Sequence, residues 1–214
     1  MTHAYNDIYL EDAMNNLGTM LDCAVNAAQC DLFVFYEMFL SSGVAAQMEA
    51  GNPRYLSGMS GMELMQLVLK RSSDKTPSIA EYTPFDRTAE YWTGWALAYY
   101  QWHSAYSFSF IQKNGLDIKT VLSLYPTLHE ADLSKFVQTS DTIIKTHLNT
   151  RKNALKSIRK QTHLTQKELA ERSGVTLRMI QAYEQGDQDI TKAEARTVFA
   201  LARVLGCAVE AICG

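Results

Sequence analysis

The chain has 214 residues, of which 47% are hydrophobic and 20% charged, and its formal net charge is −3. This composition is ordinary for a globular protein and argues against extensive disorder, while the length allows one large domain or two small ones. The first residues, MTHAYNDIYLED, contain no basic region followed by an apolar run, so we expect no secretory signal and a cytoplasmic protein.

Helical periodicity begins near the N-terminus. Apolar residues recur at helical spacing over residues 10–28 and again over residues 32–40. Asp31 can cap the second of these helices, and Ser41-Ser42-Gly43 can end it. The sequence therefore predicts two consecutive amphipathic helices.

A third helix is predicted after Ser60, because Ser60 and Glu63 have the spacing of a capping box. Residues 72–87 contain two prolines and no sustained period, which predicts a loop. Eight of the nine methionines precede this loop. Methionine fills irregular gaps in a core and also adapts to varied partners, so this region has either a Met-filled core or a deformable interface.

The next segment, YWTGWALAYYQWHSAYSFSF at residues 91–110, holds all three tryptophans and no charged residue. Its polar residues argue against a membrane span, which would be predominantly apolar. On a helix, Tyr91 and Tyr106 would lie at the two ends of one stripe of aromatic residues, and Trp92 would belong to a second, adjacent stripe. The remaining side of the helix would carry Thr93, Gln101 and Ser104. A helix that is apolar nearly all round is a buried helix around which others pack. The alternative is a small-molecule pocket, with aromatic walls formed by Trp92, Trp95, Tyr99, Trp102 and His103.

Two more helices are predicted before residue 150. Asp117 can cap a short helix over residues 118–122, which Tyr125-Pro126 would close, and apolar residues continue at helical spacing from Leu133 to Leu148. No run alternates with period two for long enough to predict a strand. We therefore expect an all-α, bundle-like N-terminal domain.

The balance of charge changes sign near residue 150. Residues 1–150 carry 9 Lys and Arg against 16 Asp and Glu, a net charge of −7, whereas residues 151–214 carry 11 against 7, a net charge of +4. This asymmetry predicts two domains, 1–150 and 151–214, with different partners, and the basic one is the candidate for binding a polyanion.

Residues 164–186, LTQKELAERSGVTLRMIQAYEQG, have the physical features of two helices joined by a tight turn. Thr165 and Glu168 form a capping box, Gly174 can adopt the left-handed conformation that the turn needs, and Thr176 can cap the second helix. A small residue, Ala170, beside the turn allows the two helices to cross closely. This combination is typical of a helix-turn-helix motif.

The flanking residues predict further helices. Leu155 and Ile158 lie on a helix that precedes the motif. Thr191-Lys-Ala-Glu194 has capping-box spacing and would open a helix that Gly206 ends, before a short last helix. Five helices are therefore expected in this domain.

Residues 153–213 resemble the phage repressor and Cro-like (XRE) helix-turn-helix family. The matching pieces are T-Q-x-E-L-A from Thr165, S-G-V-T from Ser173, the isoleucine at position 180, and Y-E-x-G from Tyr183. The resemblance implies a five-helix, lambda-repressor-like domain that binds double-stranded DNA, with the helix that begins at Thr176 in the major groove. No family is named for residues 1–150.

The resemblance also implies the contacts. Residues facing the bases would be Thr176, Leu177, Arg178 and Gln181, with Arg178 able to bond two acceptors of a guanine. Gln166 matches the family's phosphate-contacting glutamine, and further phosphate neutralisation would come from Lys156, Arg159, Lys160 and Lys167.

The sequence thus predicts a sequence-specific transcriptional regulator, a repressor or autoregulator acting as a homodimer. Two alternatives stay open for residues 1–150: an antitoxin-like module that binds a partner protein, or a domain that senses a small ligand. No phosphate-binding glycine loop, G-x-S-x-G motif or paired acid and base indicates an enzyme. The four cysteines form no C-x-x-C pair and no cluster with the histidines, so neither a metal nor another cofactor is expected.

Overall fold

The computed structural model describes residues 3–72, 87–152 and 154–213 of the protein. Within these ranges every regular element is helical, which confirms the predicted all-α fold. The loop predicted over residues 72–87 lies almost entirely outside the described residues. The chain divides into two compact units, residues 1–144 and 145–214.

The helices of the first unit are α1 (Leu10–Asp22), α2 (Leu32–Ser41), α3 (Val44–Glu49), α4 (Pro53–Leu56), α5 (Gly61–Ser72), α6 (Ala89–Ser104), α7 (Phe108–Lys113), α8 (Ile118–Ser123), α9 (Tyr125–Leu128) and the beginning of α10 (Leu133–Lys152). The second unit contains the end of α10, followed by α11 (Ala154–Gln161), α12 (Gln166–Ser173), α13 (Leu177–Gln185), α14 (Ala195–Leu205) and α15 (Val209–Cys213). Both the division at residue 144 and the boundary predicted at residue 150 fall within α10.

Three helix starts in the first unit follow the predicted caps. The Asp31 carboxylate accepts a hydrogen bond from the Val34 amide at 3.0 Å, and Asp117 accepts one from Thr120 at 2.9 Å. At α5, the Ser60 hydroxyl and the Glu63 side chain each bond the other residue's backbone amide, as a capping box requires. Short polar side chains therefore determine where these helices begin.

Two predicted helices differ from the structure. The helix predicted over residues 10–28 is α-helical only to Asp22 and continues as a π-helical turn, Cys23–Ala27, in which the Ala28 amide bonds the Cys23 carbonyl at 2.9 Å. The prediction that Tyr125-Pro126 closes the preceding helix is incomplete, since Tyr125 and Pro126 open α9 instead. A proline fits there because the first residues of a helix have no partner for their amide groups.

The aromatic helix α6 is buried over most of its circumference, as predicted, and packs against α1, α8 and α9. Its closest neighbour is α1, and the two backbones touch where glycines face each other. A Cβ built on Gly94 would lie 2.7 Å from the Leu17 carbonyl carbon and 2.9 Å from the Gly18 Cα. A Cβ on Gly18 would lie 2.9 Å from the Tyr91 carbonyl oxygen. Only residues without a side chain permit this crossing.

The side of α6 on which the sequence places Thr93, Gln101 and Ser104 is largely covered. Thr93 and Gln101 are fully buried. Their polar atoms are satisfied locally: the Thr93 hydroxyl donates to the Ala89 carbonyl at 2.8 Å, and the Gln101 amide donates to the Tyr106 carbonyl at 3.3 Å. Tyr106 itself is not part of the stripe, since α6 ends at Ser104. Among the described residues, no helix is long and apolar enough to cross a membrane.

Four of the five residues predicted as a ligand pocket divide between two groups of rings. Trp92 contacts Tyr125 and Phe136 edge-on, with centroid separations of 5.7 and 5.5 Å. Tyr99 contacts both Trp102 and His103 instead, and the ring of His3 stacks on Trp102 at 3.7 Å. Trp95 is half-buried. The rings pack mainly against other parts of the first unit, and a ligand for them stays a prediction.

The second unit has its own apolar core. It comprises Leu155, Leu169, Val175, Ile180, Tyr183, Leu201, Ala202, Leu205 and Ile212. The predicted capping box at Thr191 is wrong: Ile190–Lys192 forms a 3-10 turn, and α14 begins after Glu194 without a side-chain cap. Asp189 supplies the local cap, because its carboxylate accepts from the Thr191 amide at 3.0 Å and so stabilises the turn instead of a longer helix.

Candidate nucleic-acid interface

The helices α12 and α13 are joined by a three-residue turn with a defined cap on each side. The Thr165 hydroxyl accepts from the Glu168 amide at 3.1 Å, and the Glu168 carboxylate accepts from the Thr165 amide at 2.8 Å. Gly174 ends α12 in the left-handed conformation, with φ of +72°. The Thr176 hydroxyl then accepts from the Met179 amide at 3.3 Å and caps α13. These are the predicted caps, and they determine the start of both helices.

Apolar side chains hold the two helices against each other. Leu169 of α12 and Ile180 of α13 are fully buried, and Val175 of the turn packs in the same cluster. Ala170 is partly buried against this cluster. The small core leaves the N-terminal end of α13 on the outside, where Thr176, Leu177 and Arg178 are exposed.

A buried ion pair joins α11 to the end of α13. Arg159 is 8% exposed and Glu184 4% exposed. The Arg159 Nε and Nη2 atoms donate to the two oxygens of the Glu184 carboxylate at 2.6 and 2.9 Å, a bidentate geometry. The Nη1 atom donates to the Leu164 carbonyl at 2.7 Å. Gln166, the first residue of α12, also donates to Glu184, from Nε2 to Oε2 at 2.8 Å.

The surroundings of Glu184 keep it ionised. Burial by itself would raise the pKa of this carboxyl, but the hydrogen bonds from Arg159 and Gln166, with the charges of Arg159 and Lys156, outweigh burial and lower the pKa below its ordinary value. The pKa of Arg159 is raised, chiefly by its hydrogen bonds to Glu184. Both partners therefore carry full charge at neutral pH.

The residues predicted to contact DNA differ in their exposure. The exposed ones are Lys156, Lys160, Lys167, Thr176, Leu177 and Arg178. Gln166 and Gln181 are half-buried. Arg159 is the exception, because its donors are already bonded inside the domain. Its predicted role in neutralising phosphate does not fit this geometry.

Residues 155–212 match the model of a helix-turn-helix family, and this match lies within the second compact unit. Residues 155–212 form an XRE-type helix-turn-helix domain. Comparisons with curated proteins and with solved structures each gave no match. The helix-turn-helix domain indicates a DNA-binding transcription regulator.

The sequence did not predict that Glu184 forms a buried ion pair in this helix-turn-helix domain. Glu184 entered the sequence analysis only as the glutamate of the Y-E-x-G pattern. A signal was present for its partner. Arg159 follows Leu155 by four residues, so both lie on the same face of α11, and Leu155 is a core residue. An arginine on a core-facing stripe needs a buried carboxylate partner.

Replacing Thr176 with Ala is expected to destabilise the helix-turn-helix domain by about 1 kcal/mol, since the variant lacks the hydroxyl that caps α13. Hydrogen exchange of the α13 amides, measured by mass spectrometry on the full chain, would report this as faster exchange. Thr176→Ser keeps the hydroxyl and serves as the control. Equal exchange rates in the Ala and Ser variants would contradict the capping role.

Proposed function

We propose that the protein is a sequence-specific transcription regulator that inserts α13 into the major groove of double-stranded DNA. The proposal is supported by one observation above all: the N-terminal end of α13 presents Thr176, Leu177 and Arg178 to solvent. In helix-turn-helix proteins, this end of the second helix reaches the base edges.

Each exposed side chain has a distinct role in this proposal. The Arg178 guanidinium bonds the O6 and N7 atoms of a guanine, and Leu177 contacts a thymine methyl group. Gln181, one turn further along α13, hydrogen-bonds a base or a phosphate. Lys167 on α12 and the lysines of α11, Lys156 and Lys160, neutralise phosphates without reading sequence.

The regulator is proposed to act as a homodimer that represses transcription by occupying a promoter. Two copies related by a two-fold axis would place their α13 helices about 34 Å apart, one turn of DNA, and would bind a palindromic operator. The acidic unit of residues 1–144 is proposed to supply dimerisation. Size-exclusion chromatography with light scattering of the full chain tests this, and a strictly monomeric protein on operator DNA would contradict it.

The double variant Arg178→Ala with Gln166→Ala is expected to bind its operator at least about 50-fold more weakly, since a good bidentate base contact is worth about 1–3 kcal/mol and a hydrogen bond to a charged group at least about 1.5 kcal/mol. The measurement is a fluorescence-anisotropy titration of the DNA upstream of the protein's own gene at several salt concentrations. A random duplex of equal length gives the non-specific affinity, which the loss of Arg178 should affect less.

Arg203→Ala is the matched control for this titration, because Arg203 is an exposed arginine on α14, outside the α12 and α13 pair. It removes the same charge and should leave the operator affinity within about twofold, as expected of an exposed charge that lies away from the DNA. Unchanged binding by the Arg178 and Gln166 variant would overturn the assigned contacts. If the wild-type protein binds no duplex even at low salt, the function itself is wrong.

A further inference from the structure

The amide of Gln166 is fixed by a residue eighteen positions later in the chain. Its Nε2 atom lies 2.8 Å from Oε2 of Glu184, and that same oxygen accepts from Arg159 at 2.9 Å. The other carboxylate oxygen accepts from Arg159 at 2.6 Å. Three helices, α11, α12 and α13, therefore meet at one buried carboxylate through hydrogen bonds with short distances.

The chemistry of this carboxylate determines which way the Gln166 amide points. An ionised carboxylate can only accept hydrogen bonds, so the amide must present its nitrogen and not its oxygen to Glu184. The nitrogen has two hydrogens, of which one points to Glu184. The second is left to donate elsewhere, from a half-buried side chain at the first position of α12, where the helix N-terminus favours an anion.

We infer that Arg159 and Glu184 are positioning residues, which hold the Gln166 amide so that its second N–H group donates to a DNA phosphate. Arg159 orients Glu184, and Glu184 orients Gln166. This inference rests on the proposed function. It assigns a role in DNA binding to two residues that are too buried to touch DNA themselves.

A DNA contact made by Gln166 should affect the affinity for DNA but not the salt dependence of that affinity. Binding releases counterions in proportion to the phosphates neutralised by Lys and Arg, and a glutamine carries no charge. Loss of the Gln166 contact should therefore weaken binding by the same factor at every salt concentration. An arginine that itself touched phosphate would instead change the slope of log K against log salt by about 0.9.

The test is a cycle of four full-length proteins: wild type, Gln166→Ala, the pair Arg159→Met with Glu184→Leu, and all three changes together. The pair removes one positive and one negative charge and puts apolar side chains of similar size in their place, which buried ion pairs commonly tolerate. Circular dichroism shows that each protein is folded. Fluorescence anisotropy then gives the affinity for upstream DNA over a range of salt concentrations.

Gln166→Ala is expected to weaken binding about tenfold in the wild-type background, the effect of losing one hydrogen bond to a charged group, and less than twofold when the ion pair is absent. The slope against salt should be the same for all four proteins. A tenfold effect that persists without the ion pair would overturn the inference, and so would a slope reduced by about 0.9 in the paired variant.

Glu184→Gln provides a second route if the paired change does not fold. This variant keeps the size of the side chain but no longer forces the Gln166 nitrogen toward it. The loss of DNA affinity caused by Gln166→Ala should therefore be smaller in the Glu184→Gln background.

The side-chain amide of Gln166 can also be followed by ¹⁵N NMR without DNA. Its resonances should shift from their wild-type positions in either background, and unchanged resonances would overturn the positioning role. Absence of any DNA binding by the wild type would overturn the proposed function instead.

Discussion

Replacing Glu184 alone with Leu is expected to destabilise the helix-turn-helix domain by about 3–5 kcal/mol, because the variant leaves a buried arginine without its counter-charge. Arg159 is 8% exposed, and its guanidinium would remain bonded to the Leu164 carbonyl inside the domain. Hydrogen exchange of peptides from α11 and α13, measured in guanidinium chloride on the full chain, would give the loss of stability of this unit.

The control is the paired variant Arg159→Met with Glu184→Leu, which removes the arginine together with the carboxylate. Its stability is expected to lie much closer to wild type, since an apolar pair of similar volume often replaces a buried ion pair at little cost. A single variant that lost less than about 1 kcal/mol would show that the pair is more accessible to water than its burial indicates.

The ion pair of Arg159 and Glu184 should also make the stability of the wild-type protein depend on pH in the acid range. The pKa of Glu184 in the folded state is lower than that of an unfolded glutamate, so the carboxylate contributes stability above the unfolded pKa of about 4.3. This contribution is lost as the pH falls through the folded pKa. The paired variant lacks the group, and its stability should fall less between neutral pH and pH values below about 4.3.

Gly94→Ala is expected to destabilise the first unit by about 3 kcal/mol, although alanine is the better helix former by about 1 kcal/mol. The added methyl group would meet the backbone of Leu17 and Gly18, and neither can move away as a side chain could. The helices α1 and α6 must separate, which loosens the core on both sides. All three tryptophans lie on α6, so their fluorescence during urea unfolding reports on this unit.

Gln66→Ala on α5 is the comparison for this variant, because Gln66 is exposed and its replacement should change stability by less than about 0.5 kcal/mol. If Gly94→Ala were as stable as wild type, the two helices could not be in backbone contact at this point.

The parts of the fold that could be predicted are those that depend on residues close together in the sequence. A cap depends on two residues three positions apart, and the predicted caps at Asp31, Thr165 and Thr176 are confirmed for that reason. The buried character of α6 could also be predicted, because its apolar residues cover most of the circumference. The family resemblance of the C-terminal domain is confirmed by the match to residues 155–212.

What could not be predicted depends on contacts between distant residues. The burial of Thr93 depends on other parts of the first unit, which no pattern within residues 91–110 contains. The same is true of Arg159, whose partner lies 25 residues later and whose charge made it look like a phosphate contact. The π-helical turn at Cys23–Ala27 also breaks a periodicity that the sequence continues to Ala28.

The backbone contact between α1 and α6 has a consequence for how the gene can change over generations. Glycine is the only amino acid without a Cβ atom, so every missense codon at position 94 encodes a residue that is too large for the space there. The same holds at position 61, where a Cβ would lie 2.8 Å from the Met20 amide nitrogen. A lineage that keeps the α1–α6 crossing and the contact of α5 with α1 therefore has no intermediate substitutions available at these two codons. Both should remain glycine codons.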